Sequence, residues 1–310
     1  MDDAPFHHDL ADGPDGVQAF WRKATDGVRL RVTYWPVDDA AGTILLFTGR
    51  TEYAEKYGRV ARDLTQAGFA VLTLDWRGQG LSDRIAKDPR LGHVNGFQDY
   101  QLDVAELMAA AEALSCPGPR HMIAHSMGGC IGLRSLVDGL DVEKAVFSAP
   151  MWGINLPLWV RPVPYVLPQV LRLFGIREKL APGTEIENYV LATPHPENML
   201  TSDQATYEWL AQQAETVEEF ALGGPTIDWV GYGAWETRRL RQAKRPGIPV
   251  LTFLGADEEI VSSTAIHDVH RNWPSGDLRI VEGARHEIMM EAPAARGRFL
   301  SETLDFFRSV

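Results

Sequence analysis

The chain has 310 residues, 45% hydrophobic and 23% charged, values of an ordinary soluble globular protein that suggest about two domains at roughly 150 residues each. A chain this long buries enough surface to fold without disulfide or metal staples, and its composition excludes a disordered chain, a collagen-like fibre and a cysteine scaffold. The 42 acidic residues against 30 basic ones leave a net charge of −12, which repels phosphate backbones and argues against a nucleic-acid partner.

The first dozen residues read as a frayed acidic start, without the basic and apolar stretches of a secretory signal. Val17–Thr25 and Val28–Trp35, joined by Asp26-Gly27, predict a β-hairpin. Thr43–Thr48 (TILLFT) is apolar without alternation, as a strand buried on both faces should be. Ala54–Ala67 has helical spacing, with Tyr57, Val60, Ala61 and Leu64 on one side and Gly68 as the stop. The rhythm then repeats: strand Ala70–Leu74, helix Asp99–Leu114, strand His121–Ala124, helix Met127–Leu136 and strand Lys144–Ser148. After a long interval, strands Val250–Leu254 and Leu278–Val281 frame a helix near Ser263–Asn272, and Pro293–Arg308 closes the chain as a helix. Strands alternating with helices imply a mostly parallel central sheet covered by helices on both faces.

Met151 to Trp235 breaks this rhythm. It holds five of the nine tryptophans and many prolines, helical stretches such as Asp203–Gln213, and no convincing strand. It reads as a helical cap (151–235) inserted into one core domain (1–150 and 236–310). Its most apolar stretch, Met151–Gly175, is broken by Pro157, Pro162, Pro164 and Pro168 and cannot form a membrane span, although it could touch a lipid surface. Cys116 and Cys130 read as inert thiols of a reducing cytoplasm.

The segment Met122-Ile123-Ala124-His125-Ser126-Met127-Gly128-Gly129 sets a serine between an apolar strand and a helix. The small neighbours permit the sharp turn that lifts a nucleophilic hydroxyl clear of a sheet, with the free N–H groups of the helix N-terminus behind it. A serine needs a base, and His286, after the last short strand, is the histidine best placed to return over Ser126. A carboxylate must orient that base, and Asp257, Glu258 and Glu259 all follow the strand Val250–Leu254. No Cys/His cluster has metal-ligand spacing, and Gly78-Gln79-Gly80 lacks the third glycine of a dinucleotide loop, so no metal and no cofactor is expected.

Four stretches together resemble serine hydrolases of the α/β-hydrolase fold, in the branch of bacterial lysophospholipases and monoacylglycerol lipases: Gly49–Tyr57 (GRTEYAEKY), Asp75–Ser82 (DWRGQGLS), Ala124–Gly129 and Gly283–Glu287. The resemblance implies an acyl-enzyme mechanism on a small-molecule or monoacyl lipid ester, either a lysophospholipid or a monoacylglycerol. It implies an acid three residues after a glycine and three before a valine, which favours Glu258 with Asp257 close behind. It also implies an oxyanion hole from the backbone N–H groups of Arg50 and Met127. The Arg50 side chain is expected to pair with Glu52 or Glu55, in preference to contacting an anionic head group. By the same resemblance the cap lines an acyl pocket, with Trp152 and Trp159 as substrate-binding candidates, in a cytoplasmic protein that touches the inner membrane face peripherally. The rivals are another serine hydrolase of this fold (a proline-iminopeptidase-like peptidase, a thioesterase or a cofactor-free haloperoxidase) and a non-catalytic protein that binds a hydrophobic ligand.

Overall fold

A computed structural model describes residues 2–155 and 162–309. Trp159 therefore lies outside the described residues. The chain runs β1 (Asp2–Asp3), α1 (His8–Ala11), β2 (Gln18–Lys23), β3 (Arg29–Trp35), β4 (Thr43–Phe47), α2 (Gly58–Gln66), β5 (Ala70–Leu74) and α3 (Tyr100–Ala113). It continues through β6 (Arg120–His125), α4 (Ser126–Val137), β7 (Lys144–Ser148), α5 (Val163–Leu173), α6 (Tyr189–Ala192), α7 (Gln204–Thr216) and α8 (Ile227–Gln242). The last elements are β8 (Val250–Gly255), α9 (Ser263–Arg271), β9 (Gly276–Val281) and α10 (Pro293–Arg308).

All nine strands form one sheet in the order β1-β2-β3-β5-β4-β6-β7-β8-β9. β1 to β3 are antiparallel, β3 meets β5 antiparallel, and every pairing from β5 to β9 is parallel. The central strands are apolar throughout because both faces are covered. In β4, Leu45 and Phe47 enter the core shared with Leu107 of α3 and Leu133 of α4, whereas Ile44 and Leu46 face Val60 and Leu64 of α2 and Phe299 of α10. The two-residue period of a strand thus feeds two cores at once.

Between β7 and β8 the described residues hold helices and short 3-10 turns but no strand of the sheet. α8 runs unbroken through position 235 and contacts α4, so a partition there would cut one hydrogen-bonded element. The expectation of a frayed N-terminus is corrected. Arg31 Nη1 donates to Pro5 O (3.0 Å), and Trp209 Nε1 and Gln213 Nε2 both donate to Leu10 O (3.0 and 2.7 Å). These are tertiary ties to backbone carbonyls, which leave no periodic trace in a polar segment.

Candidate active site

β6 passes into α4 with no residue between them, and Ser126, the first residue of the helix, has φ +48°. A non-glycine residue in that region costs about 1–3 kcal/mol and persists only where its surroundings hold it. Here Gly128 does so by allowing a close approach: a Cβ on it would run into the carbonyl oxygens of Phe47 and Thr48. The start of α4 therefore rests against the end of β4. The backbone N–H groups of Arg50 and Met127 belong to these two segments, and neither has an acceptor among the described residues.

The loops after β8 and β9 are brought together in the same way. A side chain on Gly255 would collide with the carbonyl oxygens of Ala284 and Arg285. Without one, Glu258 meets His286: Nδ1 of the imidazole lies 2.7 Å from Glu258 Oε2, and Nε2 lies 2.8 Å from Ser126 Oγ. The Glu258 side chain is fully buried and that of His286 nearly so. The other carboxylate oxygen of Glu258 accepts from the N–H groups of Ile260 (2.6 Å) and Val261 (2.9 Å). Burial works to raise this carboxyl, but His286 and the two amides outweigh it and hold its pKa below the ordinary 4.5. A carboxylate that stays ionised fixes a proton on Nδ1 and leaves Nε2 free to accept the serine proton. Asp257 is exposed and is tied in through its backbone N–H, which donates to Ala284 O (3.0 Å). The structure brings Ser126, His286 and Glu258 together and leaves Asp257 outside.

Behind the imidazole lies a buried charge cluster that the sequence reading missed. Lys56 Nζ donates to Glu52 Oε1 (2.7 Å) and Glu287 Oε1 (2.6 Å), and Tyr57 Oη donates to Glu52 Oε2 (2.6 Å). His125, whose ring centroid is 4.8 Å from that of His286, places Nδ1 3.0 Å from Ser148 O. A carbonyl can only accept, so Nδ1 carries a proton. Nε2 then faces the carboxylates of Glu287 (3.3 Å) and Glu52 (3.6 Å), which raise the pKa of this imidazole against its burial. Glu52, His125 and Glu287 are the one group among the described residues whose donor atoms converge as metal ligands would, and the Lys56 ammonium already supplies positive charge there.

Removing one member should be costly. Lys56→Met strands two buried carboxylates and is expected to lower unfolding free energy by about 3–5 kcal/mol. The loss should depend on pH. Against burial, Lys56 and His125 hold Glu287 well below 4.5, so its contribution is present above 4.5 and is lost as pH falls through the folded value. Without the ammonium, burial raises that carboxyl. The folded variant then binds more protons than its unfolded state and gains stability as pH falls. Urea unfolding at pH 8 and pH 5 should show the gap to wild type narrowing at the lower pH; a gap that widens refutes this account.

Two cavities meet at Ser126. An apolar one of about 300 Å³ is walled by Met151, Ile154, Leu167, Ile227, Trp229 and Val261 among others, and a more polar one of about 290 Å³ by Tyr53, Asn188, Tyr189 and His286. Arg50, Ser126 and Ile260 line both. Trp152 lines neither, which corrects its assignment. It is fully buried, its Nε1 donates to Gly129 O (3.1 Å), and it packs against Phe147 and Trp273. Trp229 takes the cavity position instead, and nothing local in the sequence separates these two tryptophans. Arg50 also departs from expectation: Glu52 is committed to Lys56 and Glu55 to Arg31 (2.6 Å). The Arg50 guanidinium instead donates to Gly223 O (2.6 Å) and lies 5.3 Å from the Trp229 ring centre.

The chain is similar to several known proteins. The profile of the family described as "Serine aminopeptidase, S33" matches residues 38–293. Lysophospholipase L2 of Escherichia coli (strain K12) is 30% identical over 308 residues, covering 93% of this chain and 88% of the relative. Probable lysophospholipase L2 of Haemophilus influenzae is 29% identical, covering 85% and 82%. Among solved structures, a soluble variant of monoglyceride lipase from Saccharomyces cerevisiae in complex with a substrate analog superposes with a TM-score of 0.74. It covers 98% of both chains at 21% identity, a likeness of fold.

Proposed function

We propose a reaction for a chain that belongs to the serine aminopeptidase S33 family and has the α/β-hydrolase fold: hydrolysis of a monoacyl lipid ester through an acyl-enzyme. The chain is a serine ester hydrolase. Ser126 attacks the acyl carbonyl while His286 Nε2 takes its proton, and Glu258 stabilises the resulting imidazolium. The N–H groups of Arg50 and Met127 receive the oxyanion, each contributing about 10²–10³ in rate. His286 then protonates the departing alcohol and activates the water that frees the fatty acid.

The observation that carries the substrate class is the apolar cavity opening on Ser126, a space suited to one acyl chain with a polar space opposite for the alcohol. The printed names of the relatives, lysophospholipase L2, point the same way. The segment between β7 and β8 acts as the cap in this reading, since Met151, Ile154, Leu167 and Trp229 all wall the cavity. α5 turns Val166, Val170 and Leu173 outward, with Phe174 exposed beside it, an apolar face through which a lipid surface could hand over substrate. No helix among the described residues is long and apolar enough to cross a membrane.

Rates on monoacyl esters of one alcohol with graded chain length test the reading, with Ser126→Ala as control. Each methylene that enters the cavity is worth about 0.8 kcal/mol, so kcat/KM should climb by about fourfold per carbon until the cavity is full and then level off. A preference for acetyl esters, or for aminoacyl anilides over all esters, refutes it.

A further inference from the structure

We propose that the Arg50 guanidinium is the binding site for the phosphodiester of a zwitterionic monoacyl phospholipid, so that the alcohol released is a glycerophospho compound in preference to bare glycerol. The inference deepens the ester-hydrolase reading and rests on it.

Position comes first. Arg50 lines the apolar cavity, the polar one, and a third of about 440 Å³ that extends outward past Thr184, Glu185 and Glu187. A substrate with its acyl chain in the first cavity and its carbonyl at Ser126 must lead its alcohol half past this side chain. In a monoacyl phospholipid the phosphate follows the ester after the glycerol carbons, on that path.

Charge comes second. Among the described residues no carboxylate lies within ion-pair distance of Arg50. Glu52 is held by Lys56, Glu55 by Arg31, and Asp228 by Arg172 and Arg177. Burial lowers the pKa of Arg50 to about 10, which still leaves it charged at neutral pH. Among the described residues its buried Nε has no acceptor, and one of its five N–H donors, on Nη2, is engaged, by Gly223 O. A half-buried cation with no counter-ion among the described residues and with donors to spare is incomplete. A phosphodiester offers two oxygens at the spacing of the guanidinium fork. Gly92 keeps the space open, since a Cβ there would collide with Nη2.

The outer cavity selects the rest of the head group. Its exposed Glu185 and Glu187 favour an ammonium beyond the phosphate and oppose a head group of net negative charge, as does the overall charge of −12.

The test compares kcat/KM on a lysophosphatidylethanolamine and on a monoacylglycerol with the same acyl chain, in wild type and in Arg50→Met. The readout is the ratio between the two substrates, in which any loss common to both cancels. Charge-assisted hydrogen bonds of this kind predict a fall in the ratio of about 10–100-fold, mostly through the KM of the phospholipid, with partial recovery in Arg50→Lys. A ratio unchanged within about threefold assigns Arg50 to clamping the Gly223 loop and overturns the proposal. If Arg50→Met does not fold, inhibition of wild-type monoacylglycerol hydrolysis decides. Glycerophosphoethanolamine should inhibit at least about tenfold more tightly than glycerol or inorganic phosphate; equal inhibition by the three overturns the proposal, and tighter inhibition by inorganic phosphate replaces the lipid with a free anion. Failure of the ester-hydrolase reading is distinct, since wild type would then turn over neither lipid.

Discussion

Ser126→Ala is expected to lower kcat on a monoacyl ester by about 10⁶-fold and to abolish labelling by a fluorophosphonate, with melting temperature nearly unchanged. The size follows from the way a nucleophile and its base act as one unit. Without Oγ there is nothing for His286 to deprotonate, and without His286 a serine hydroxyl is a poor nucleophile. His286→Ala should therefore cost about as much, and the double variant little more than either, leaving about 10³ over the uncatalysed rate from the oxyanion donors and binding. The fold should survive because alanine meets the same backbone strain at φ +48°, and the lost hydrogen bond joins Oγ to a side chain at the cavity wall. Kinetics, labelling and thermal unfolding of the three variants check this. Labelling that persists on another residue, or a double variant far below both singles, refutes the scheme.

How much of this was legible depended on the range of each interaction. The strand at Thr43–Phe47, the turn at Ser126 and the closing helix Pro293–Arg308 can be read locally, because apolar runs, small residues and an N-terminal proline act on their own neighbourhood. The meeting of Ser126 with His286, 160 residues apart, could be anticipated only from order along the sheet and from family likeness. The rest was decided by competition through space. Glu52 and Glu55 stand two and five positions from Arg50, yet Lys56 and Arg31 take them first. Lys56 in turn reaches Glu287, 231 residues away. Trp152 packs against Phe147 and Trp273 while Trp229 lines the cavity, a division set by contacts between segments distant in sequence. The cap is the least legible segment because its helices answer to one another and to the sheet edge, as where Pro168 of α5 seats against Gly231 of α8.

The identity of the acid separates these two kinds of information most sharply, and one pair of variants tests it. Glu258→Gln is expected to lower kcat by about 10⁴-fold, whereas Asp257→Asn should stay within about twofold of wild type. In Glu258→Gln the side-chain carbonyl can still accept from the N–H groups of Ile260 and Val261, which turns the amide NH₂ toward His286 Nδ1. Nδ1 must then accept, so the proton moves to Nε2 and points at Ser126 Oγ, where it blocks proton transfer. Asp257 has no such hold on the ring, since its side chain is exposed and only its backbone is engaged. The pH dependence carries a matching sign. The carboxyl of Glu258 is held below 4.5, so its contribution to stability is present above that value and disappears as pH falls through the folded pKa. Wild type and Glu258→Gln should accordingly converge in melting temperature toward pH 3 and diverge above pH 5. If Asp257→Asn proves the inactive variant, the acid assignment is wrong and the loop after β8 must adopt another arrangement when substrate is bound.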